Sequence, residues 1–245
     1  YVVPVVAHDP TAPGGRQVKF SIGHEVARGP TAATDGTVGR QGATCVACGS
    51  AVELKYIRAE GQAKRMRARL IAVVAEGDRR RVYLSPTQEH VDAANIDAPK
   101  FIPAGTLATN PRDFKTPNYG MTRFSDLFTN RQLMALTTFS DLVGEARTKV
   151  LGDSLGAGLP LGARLADGGT GAAAYADAIT TYLGMAVSNT ADDHSSLVSW
   201  RSSHGTGATR STFARQALPM VWDYAEANPL SGTAGAFSKT IPGIV

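Results

Sequence analysis

The sequence predicts an α+β protein in which a small, antiparallel β-rich part precedes a mostly α-helical part. Short apolar runs alternate with turn residues over residues 1–95, and four prolines interrupt residues 96–122. From residue 123 onward, apolar residues recur at spacings of three and four, which is the period of a helix. These three observations predict a β-rich domain at 1–95, an irregular connector at 96–122 and a helical domain at 123–245.

Five runs in the first domain predict β-strands: YVVPVVA, QVKFSI, AVELKYIRA, MRARLIAVVAE and RRVYLS. The strings APGG, TDGT, AEGQ and EGDR between them have the composition of turns. In AVELKYI, the apolar residues Val52, Leu54 and Tyr56 alternate with charged residues, as in a half-buried strand. The last two runs predict a hairpin joined at Gly77–Asp78.

Capping signals predict the first helices. The string SPTQEHVDAANI predicts a short helix with Ser85 as its N-cap and Gln88 completing a capping box. A longer helix is predicted after Thr129, whose capping-box partner is Gln132. Its apolar stripe indicates about 20 helical residues that end near Gly152.

The remainder of the helical domain is predicted from composition and period. The glycine-rich string GDSLGAGLPLGARLADGGTG predicts a mobile loop of about 20 residues. A helix is predicted from Ala172, with Tyr175 and Tyr182 on its buried side. The strings ADDHSSLVSW and TRSTFARQALPMVWDYAEAN predict two more helices, the last of which ends at Asn228–Pro229.

Length and composition limit the possible classes of protein. The 245 residues, with 43% hydrophobic and 19% charged residues, are typical of a soluble globular protein of one or two domains. No run approaches the ~18–20 apolar residues of a membrane span, so no membrane partner is expected. Only two cysteines and the absence of a signal sequence favour a cytoplasmic location. Because the chain opens on Tyr1 within a strand-like run, we expect a segment of a longer protein.

The positive charge is concentrated between Lys55 and Arg81, where nine residues are basic and three are acidic. Alternation along one strand would place Arg65, Arg67 and Arg69 on the same side, as a row that meets nucleic-acid phosphates. The alternative is an ordinary solvated sheet face or a charged, protected edge strand. The candidate phosphate contacts in this region are Arg65, Arg67, Arg69, Arg79, Arg80 and Arg81. Arg131 and Arg215, each next to a glutamine, are weaker candidates.

Both cysteines lie in the string CVACG, as Cys45 and Cys48 followed by Gly49. This spacing lets two thiolates approach one zinc ion from a tight turn, which favours a zinc-binding knuckle. A redox pair and an unmetallated structural turn remain alternatives. A structural zinc needs four ligands, and the sequence offers only isolated histidines as additional candidates. These are His8, His24 and His90.

Two other strings have a functional and a plain interpretation. GGTGAAAY lacks both the lysine and the preceding strand of a phosphate-binding loop, so it predicts a flexible entry to a helix. SSHGTGATRS places His204 among glycines and hydroxyls, but it has no acidic residue to orient the imidazole for catalysis. No catalytic residue is therefore assigned.

Five strings in the same order resemble one family: GTVGRQGATCVACGS, RLIAVVAEGDRRRVYLSP, GMTRFSDLFTNRQLMALTTFSDLV, GGTGAAAYADAITTYLG and FARQALPMVWDYAEANP. Together they resemble the central part of the adenine-specific DNA methylases that contain a zinc ribbon. These are amino-methyltransferases related to restriction-modification and phage-defence enzymes. The resemblance covers essentially the whole chain.

The resemblance implies a division of functions within a longer protein. In this family S-adenosylmethionine binds near a D-P-F-x-G-x-G segment, and a [DN]-P-P-Y segment holds the extruded adenine. Neither segment occurs here, so this chain alone is expected neither to bind the methyl donor nor to transfer a methyl group. Its place between those segments implies the insertion that recognises duplex DNA, partnered by the catalytic remainder of the parent protein. The resemblance also implies that the β-rich domain at 1–95 is zinc-ribbon-like and that an upstream Cys-x-x-Cys supplies the missing zinc ligands.

A competing hypothesis makes the chain a structural or protein-interaction module of a defence-system protein. Its helices would then dock on a catalytic domain or on a partner subunit, and its basic face would only keep it in solution. Retention of duplex DNA by the isolated chain separates this hypothesis from DNA recognition.

Overall fold

In the computed structural model, all strands pair into small antiparallel hairpins. The structure describes residues 1–31, 36–201, 208–233 and 235–244. Within these residues there are four two-stranded sheets and five helices, which is the α+β class expected. The chain forms two compact units, the first made of Tyr1–Ile96 with Asn118–Gly120, and the second of Asp97–Pro117 with Met121–Val245.

Three hairpins lie in the first unit. Strand β1 (Val2–His8) pairs with β2 (Arg16–Ile22), and β3 (Gly42–Thr44) pairs with β4 (Ala51–Glu53) around the cysteines. The predicted hairpin around Gly77–Asp78 is confirmed, because β5 (Val73–Glu76) pairs with β6 (Arg81–Leu84).

The strand predicted in AVELKYI is wrong beyond Glu53. Residues Leu54–Gln62 form helix α1 instead. Leu54, Ile57 and Gly61 lie at spacings of three and four, and Ile57 and Gly61 are buried. Tyr56, which the alternation assigned to the buried face, is 59% exposed. The helical period therefore buries more of this segment than the period of a strand.

The short helix after β6 is confirmed, but its cap is displaced. Helix α2 (Gln88–Ala94) has Thr87 as its N-cap, and His90 completes the capping box. Ser85 does not cap the helix because its hydroxyl accepts a hydrogen bond from the backbone N–H of Ile22, at 3.1 Å. That bond links the end of β6 to the end of β2.

Two long helices pack against each other in the second unit. Helix α3 (Asn130–Gly156) begins at Thr129 with the predicted capping box, in which Thr129 and Gln132 satisfy each other's backbone amides. It continues through Gly152 for 27 residues in all, since an interior glycine weakens a helix by only about 1 kcal/mol. Helix α4 (Ala172–Asp192) begins where predicted.

The glycine-rich connection between α3 and α4 is shorter than predicted and contains several backbone hydrogen bonds. It contains a 3-10 turn at Leu165–Asp167. The first two amides of α4 are paired within the connection: Ala172 N–H donates to Pro160 O at 2.8 Å and Ala173 N–H to Leu161 O at 2.9 Å. These amides are thus not available for a phosphate, which agrees with the plain interpretation of GGTGAAAY.

The two helices predicted after α4 are wrong. Helix α4 extends to Asp192, and the following residues, 193–199, form buried turns before strand β7 (Trp200–Arg201). Among the described residues from 208 to 236, the structure has strand β8 (Ala208–Thr209), bends and no helix. Hydroxyls in this region hydrogen-bond to other segments; for example, Ser196 Oγ donates to Leu127 O at 2.9 Å. Such distant polar contacts replace the helical backbone bonds.

The main apolar core of the second unit lies beside this irregular region. Leu107, Leu127, Leu197 and Leu218 form it. The C-terminal part adds the single-turn helix α5 (Phe237–Thr240), where Phe237 stacks on Phe139 of α3 with ring centroids 4.5 Å apart. In the part of the chain that the structure describes, no helix has both the length and the apolar character to cross a bilayer.

Candidate nucleic-acid interface

The net positive charge of the chain belongs to the first unit. Residues 1–96 contain thirteen Lys and Arg against nine Asp and Glu, a difference of +4 that equals the charge of the whole chain. The remaining residues are neutral overall. Phosphate recognition is therefore most favourable on the first unit, and within it between α1 and β6.

The C-terminal end of α1 is held by contacts with residues 118–120. A Cβ on Gly120, whose φ is +84°, would lie 2.2 Å from Gly61 O, so the two backbones touch. The ammonium of Lys64 donates to Gly120 O at 2.5 Å. The guanidinium of Arg58 lies over the ring of Tyr119, 5.9 Å from its centroid. These contacts hold the start of the basic segment in place.

The expected row of Arg65, Arg67 and Arg69 on one strand is wrong. Strand β5 begins only at Val73, and residues 65–72 are neither helix nor strand. The arginine side chains hold this segment in another way. Arg65 forms a bidentate ion pair with Glu60, with nitrogen–oxygen distances of 2.7 and 2.6 Å, and Arg69 donates to Val18 O at 2.5 Å.

The pKa shifts of Arg65 and Glu60 are those expected of this ion pair. Its guanidinium lowers the pKa of Glu60, first through the side-chain hydrogen bond and then through charge. The carboxylate in turn raises the pKa of Arg65 by the same two effects. A phosphate that bound Arg65 would have to compete with this carboxylate.

Arg67, Arg79 and Arg80 differ from Arg65 and Arg69 because they are not engaged in the fold. All three are exposed, and their side chains make no hydrogen bond or ion pair with any residue that the structure describes. Arg79 and Arg80 lie in the β5–β6 turn, which Gly77 N–H closes by donating to Arg80 O at 2.8 Å. Arg79 has φ +56°, the left-handed conformation that a tight turn requires.

The last basic candidate of this region, Arg81, directly follows the turn of the same hairpin. Arg81 is the first residue of β6 and stands opposite Glu76 in the strand register. Arg81 has an interaction within the protein. In this hairpin, the unengaged guanidinium groups are therefore those of the turn residues Arg79 and Arg80.

The cysteine pair forms a closed turn between β3 and β4. Cys45 N–H donates to Ser50 O, and Gly49 N–H donates to Cys45 O, both at 2.8 Å. Gly49 has φ +75°, a left-handed conformation that glycine adopts readily in a tight turn. Hydrogen bonds from the side chain and backbone of Ser50, and then from the thiol of Cys45, lower the pKa of Cys48 to about 7.

The described residues do not complete a zinc site around these thiols. No group of three or more His, Cys, Asp and Glu side chains comes together among them. Of the three histidine candidates, His90 belongs to the capping box of α2, where its Nδ1 accepts from Thr87 N–H at 3.2 Å. His8 lies in β1 and His24 is exposed. The pair thus supplies at most two ligands of a tetrahedral site.

The second-unit arginines have different surroundings. Arg131 is paired with Glu226, with Nη2 2.6 Å from Oε2, and Thr129 Oγ1 donates to the other carboxylate oxygen at 2.5 Å. Arg215 is exposed on an open groove that Phe124 and Phe213 also line. No local sequence pattern indicates this groove, because the two phenylalanines come from distant segments. His204 lies outside the described residues.

Comparison with protein-family models, with curated proteins and with solved structures gives no match to this chain. The candidate interface is therefore defined by its own geometry: three unengaged arginines, Arg67, Arg79 and Arg80, on the unit that carries the net positive charge of the chain.

Proposed function

We propose that this chain is the target-recognition insertion of an adenine-specific N6 DNA methyltransferase, and that its first unit binds the backbone of duplex DNA. The observation that carries the proposal is the state of Arg67, Arg79 and Arg80, which are exposed and have no partner among the described residues. Guanidinium groups that the fold does not use are free to bind phosphate oxygens in bidentate fashion. The resemblance in sequence supports adenine methylation as the context.

The contacts expected from such a surface are with phosphates rather than with base edges. Phosphate contacts position a protein on DNA without reading its sequence. Arg65, Arg69 and Arg131 are engaged within the fold, so they contribute mainly to its stability. Arg81 and Arg215 are secondary candidates, one directly after the hairpin turn and the other in the second unit.

Methyl transfer belongs to the rest of the parent protein in this proposal. S-adenosylmethionine and the target adenine would bind to the catalytic portion, with which this chain would assemble in the cytoplasm. Cys45 and Cys48 would supply two zinc ligands and the parent protein two more. Metal analysis of the isolated chain tests this point: one tightly held zinc ion per chain would mean that ligands within the 245 residues complete the site.

An electrophoretic shift assay with a 20-base-pair duplex tests the main proposal. The isolated chain is expected to retain the duplex at 50 mM salt, with a dissociation constant of about 1–100 μM, as is typical of phosphate-driven binding. Absence of any shift at that salt concentration contradicts the proposal.

A protein-interaction module is the second candidate, and one observation favours it. Tyr175, Tyr182 and Met185 lie at spacings of seven and three along α4 and are about half exposed, at 51%, 48% and 53%. This spacing places them along one face of the helix, where apolar surface is exposed. If the module hypothesis is correct, the same shift assay gives no retained duplex.

A further inference from the structure

The second unit contains an open groove of about 680 Å³ with an aromatic lining. Segment 106–109 forms part of it, and Thr106 bridges to Arg123, the residue before Phe124. Phe114 and Leu218, which bridge to each other, also line the groove. Phe124 and Phe213 remain 42% and 45% exposed, so the groove presents two phenyl rings that the core leaves uncovered.

Both rings are attached to anchored backbone. Phe213 N–H donates to the carboxylate of Asp192 at 2.6 Å, and the buried hydroxyl of Thr212 bonds to Asp192 O at 2.7 Å. Gly105, with φ +108°, lies so close to Phe124 that an added Cβ would be 3.2 Å from the ring. The rings of Phe124 and Phe213 are thus held in position in the absence of a ligand.

The polar groups of the groove favour an anion. Arg215 and Gln216 line it, both are exposed, and neither side chain bonds to a residue that the structure describes. None of the lining residues is acidic, so the lining carries one positive charge. The amide of Gln216, the next residue in the chain, adds both a hydrogen-bond donor and an acceptor to the lining.

From this combination we infer that the groove binds a single unstacked nucleotide. The base stacks on Phe213 and Phe124, the phosphate pairs with Arg215, and Gln216 hydrogen-bonds to an edge of the base. Stacking on aromatic rings together with a nearby cation is the chemistry by which proteins hold single-stranded nucleotides. The inference extends the proposed DNA recognition and rests on it for its biological context, but its residues are separate from Arg67, Arg79 and Arg80.

The test is an NMR titration of the full chain with 2′-deoxyadenosine 5′-monophosphate. Binding is expected with shifts at the groove residues. Phe213→Leu keeps an apolar side chain but removes the ring, and it should weaken binding about tenfold. Arg215→Gln should weaken binding to a similar degree by removing the phosphate contact, whereas Arg210→Gln, an exposed arginine outside the groove lining, should leave it unchanged.

Three matched probes decide the class of ligand. Deoxyadenosine lacks the phosphate, and deoxyribose 5-phosphate lacks the base. Benzoate is a simple aromatic anion without a nucleobase or a sugar. Each should bind about tenfold more weakly than the nucleotide. Equal binding of any one of them, no binding of the nucleotide, or no effect of Phe213→Leu and Arg215→Gln overturns the inference. Circular dichroism of each variant verifies that it is folded.

The titration does not depend on the outcome of the duplex assay. If the duplex is not retained but the nucleotide binds, the proposed function fails and the groove site stands. If the duplex is retained but the nucleotide does not bind, the groove site fails alone.

Discussion

The guanidinium of Arg131 forms an ion pair with the carboxylate of Glu226 across 95 residues of sequence, with 2.6 Å between Nη2 and Oε2. The pair joins the first turn of α3 to the irregular C-terminal segment. Arg131→Ala should therefore lower the free energy of unfolding by about 0.5–1 kcal/mol, the range for partly exposed ion pairs. Urea unfolding followed by circular dichroism measures this. If stability is unchanged and duplex binding is weakened, Arg131 contributes to DNA binding and not to the stability of the fold.

The close approach of Gly61 and Gly120 leads to a second prediction, which concerns the stability of the fold. Gly120→Ala forces a Cβ to within 2.2 Å of Gly61 O at a φ of +84°. The expected loss in the free energy of unfolding is about 2 kcal/mol or more. Gly144→Ala is the matched control, because nothing lies within 4 Å of its added Cβ in the middle of α3. That control should gain about 0.5–1 kcal/mol, and equal effects of both substitutions would argue against the contact.

Asp177 should make stability depend on pH. Its carboxylate accepts hydrogen bonds from Arg164 Nε at 2.5 Å, Arg147 Nε at 2.8 Å and Leu165 N–H at 3.2 Å. The Arg164 hydrogen bond is the largest cause that holds its pKa well below the ordinary value of 3.8. The carboxylate therefore stabilises the fold fully above about pH 3.8, and this contribution is lost as pH falls through the folded pKa.

Thermal melts of Asp177→Asn and of the natural sequence test that expectation. The variant should melt at a lower temperature at pH 7, and the difference should narrow below pH 3.8. Asp153→Asn is the control, since Lys149 and Asp153 form an exposed pair with side chains 77% and 69% accessible. A difference for Asp177→Asn that is independent of pH would contradict the role given to the carboxylate.

Cys48 should react as a thiolate near neutral pH. The hydrogen bond with the Ser50 side chain is the main cause of its lowered pKa of about 7. Alkylation of the metal-free chain by iodoacetamide should thus be half-maximal at about pH 7, and Ser50→Ala should move the midpoint upward, because the thiolate loses a donor. Peptide mapping distinguishes the two cysteines. The same midpoint in both proteins would mean that Ser50 does not stabilise the thiolate.

The features that were predicted correctly from the sequence are formed by residues that lie close together in the chain. The Thr129 capping box and the β5–β6 hairpin each need residues only a few positions apart, and both are present. Predictions that needed a distant partner failed. A strand through Arg65 and Arg69 required a neighbouring strand, but those side chains instead bind Glu60 and the backbone of Val18.

In the candidate site, too, the features that depend on residues distant in the chain were not predicted. Composition identified the basic segment, but it did not distinguish Arg67 from Arg65, since only the fold brings Glu60 to one of them. Phe124 and Phe213 are far apart in the chain, so no local pattern indicated the groove between them. The helices predicted after α4 failed because buried hydroxyls, such as that of Ser195 bonded to Thr212 at 2.7 Å, favour turns.

The salt dependence of duplex binding tests the central claim most directly. Replacing Arg67, Arg79 and Arg80 together by Gln should weaken binding and reduce the slope of log K against log salt by about 2–3, since each phosphate contact contributes about 0.9. A control that replaces Arg112, Arg210 and Lys239 by Gln removes the same charge from the second unit, and its slope should stay near that of the natural sequence. An unchanged slope in the first variant, or an equal reduction in the control, would contradict the account.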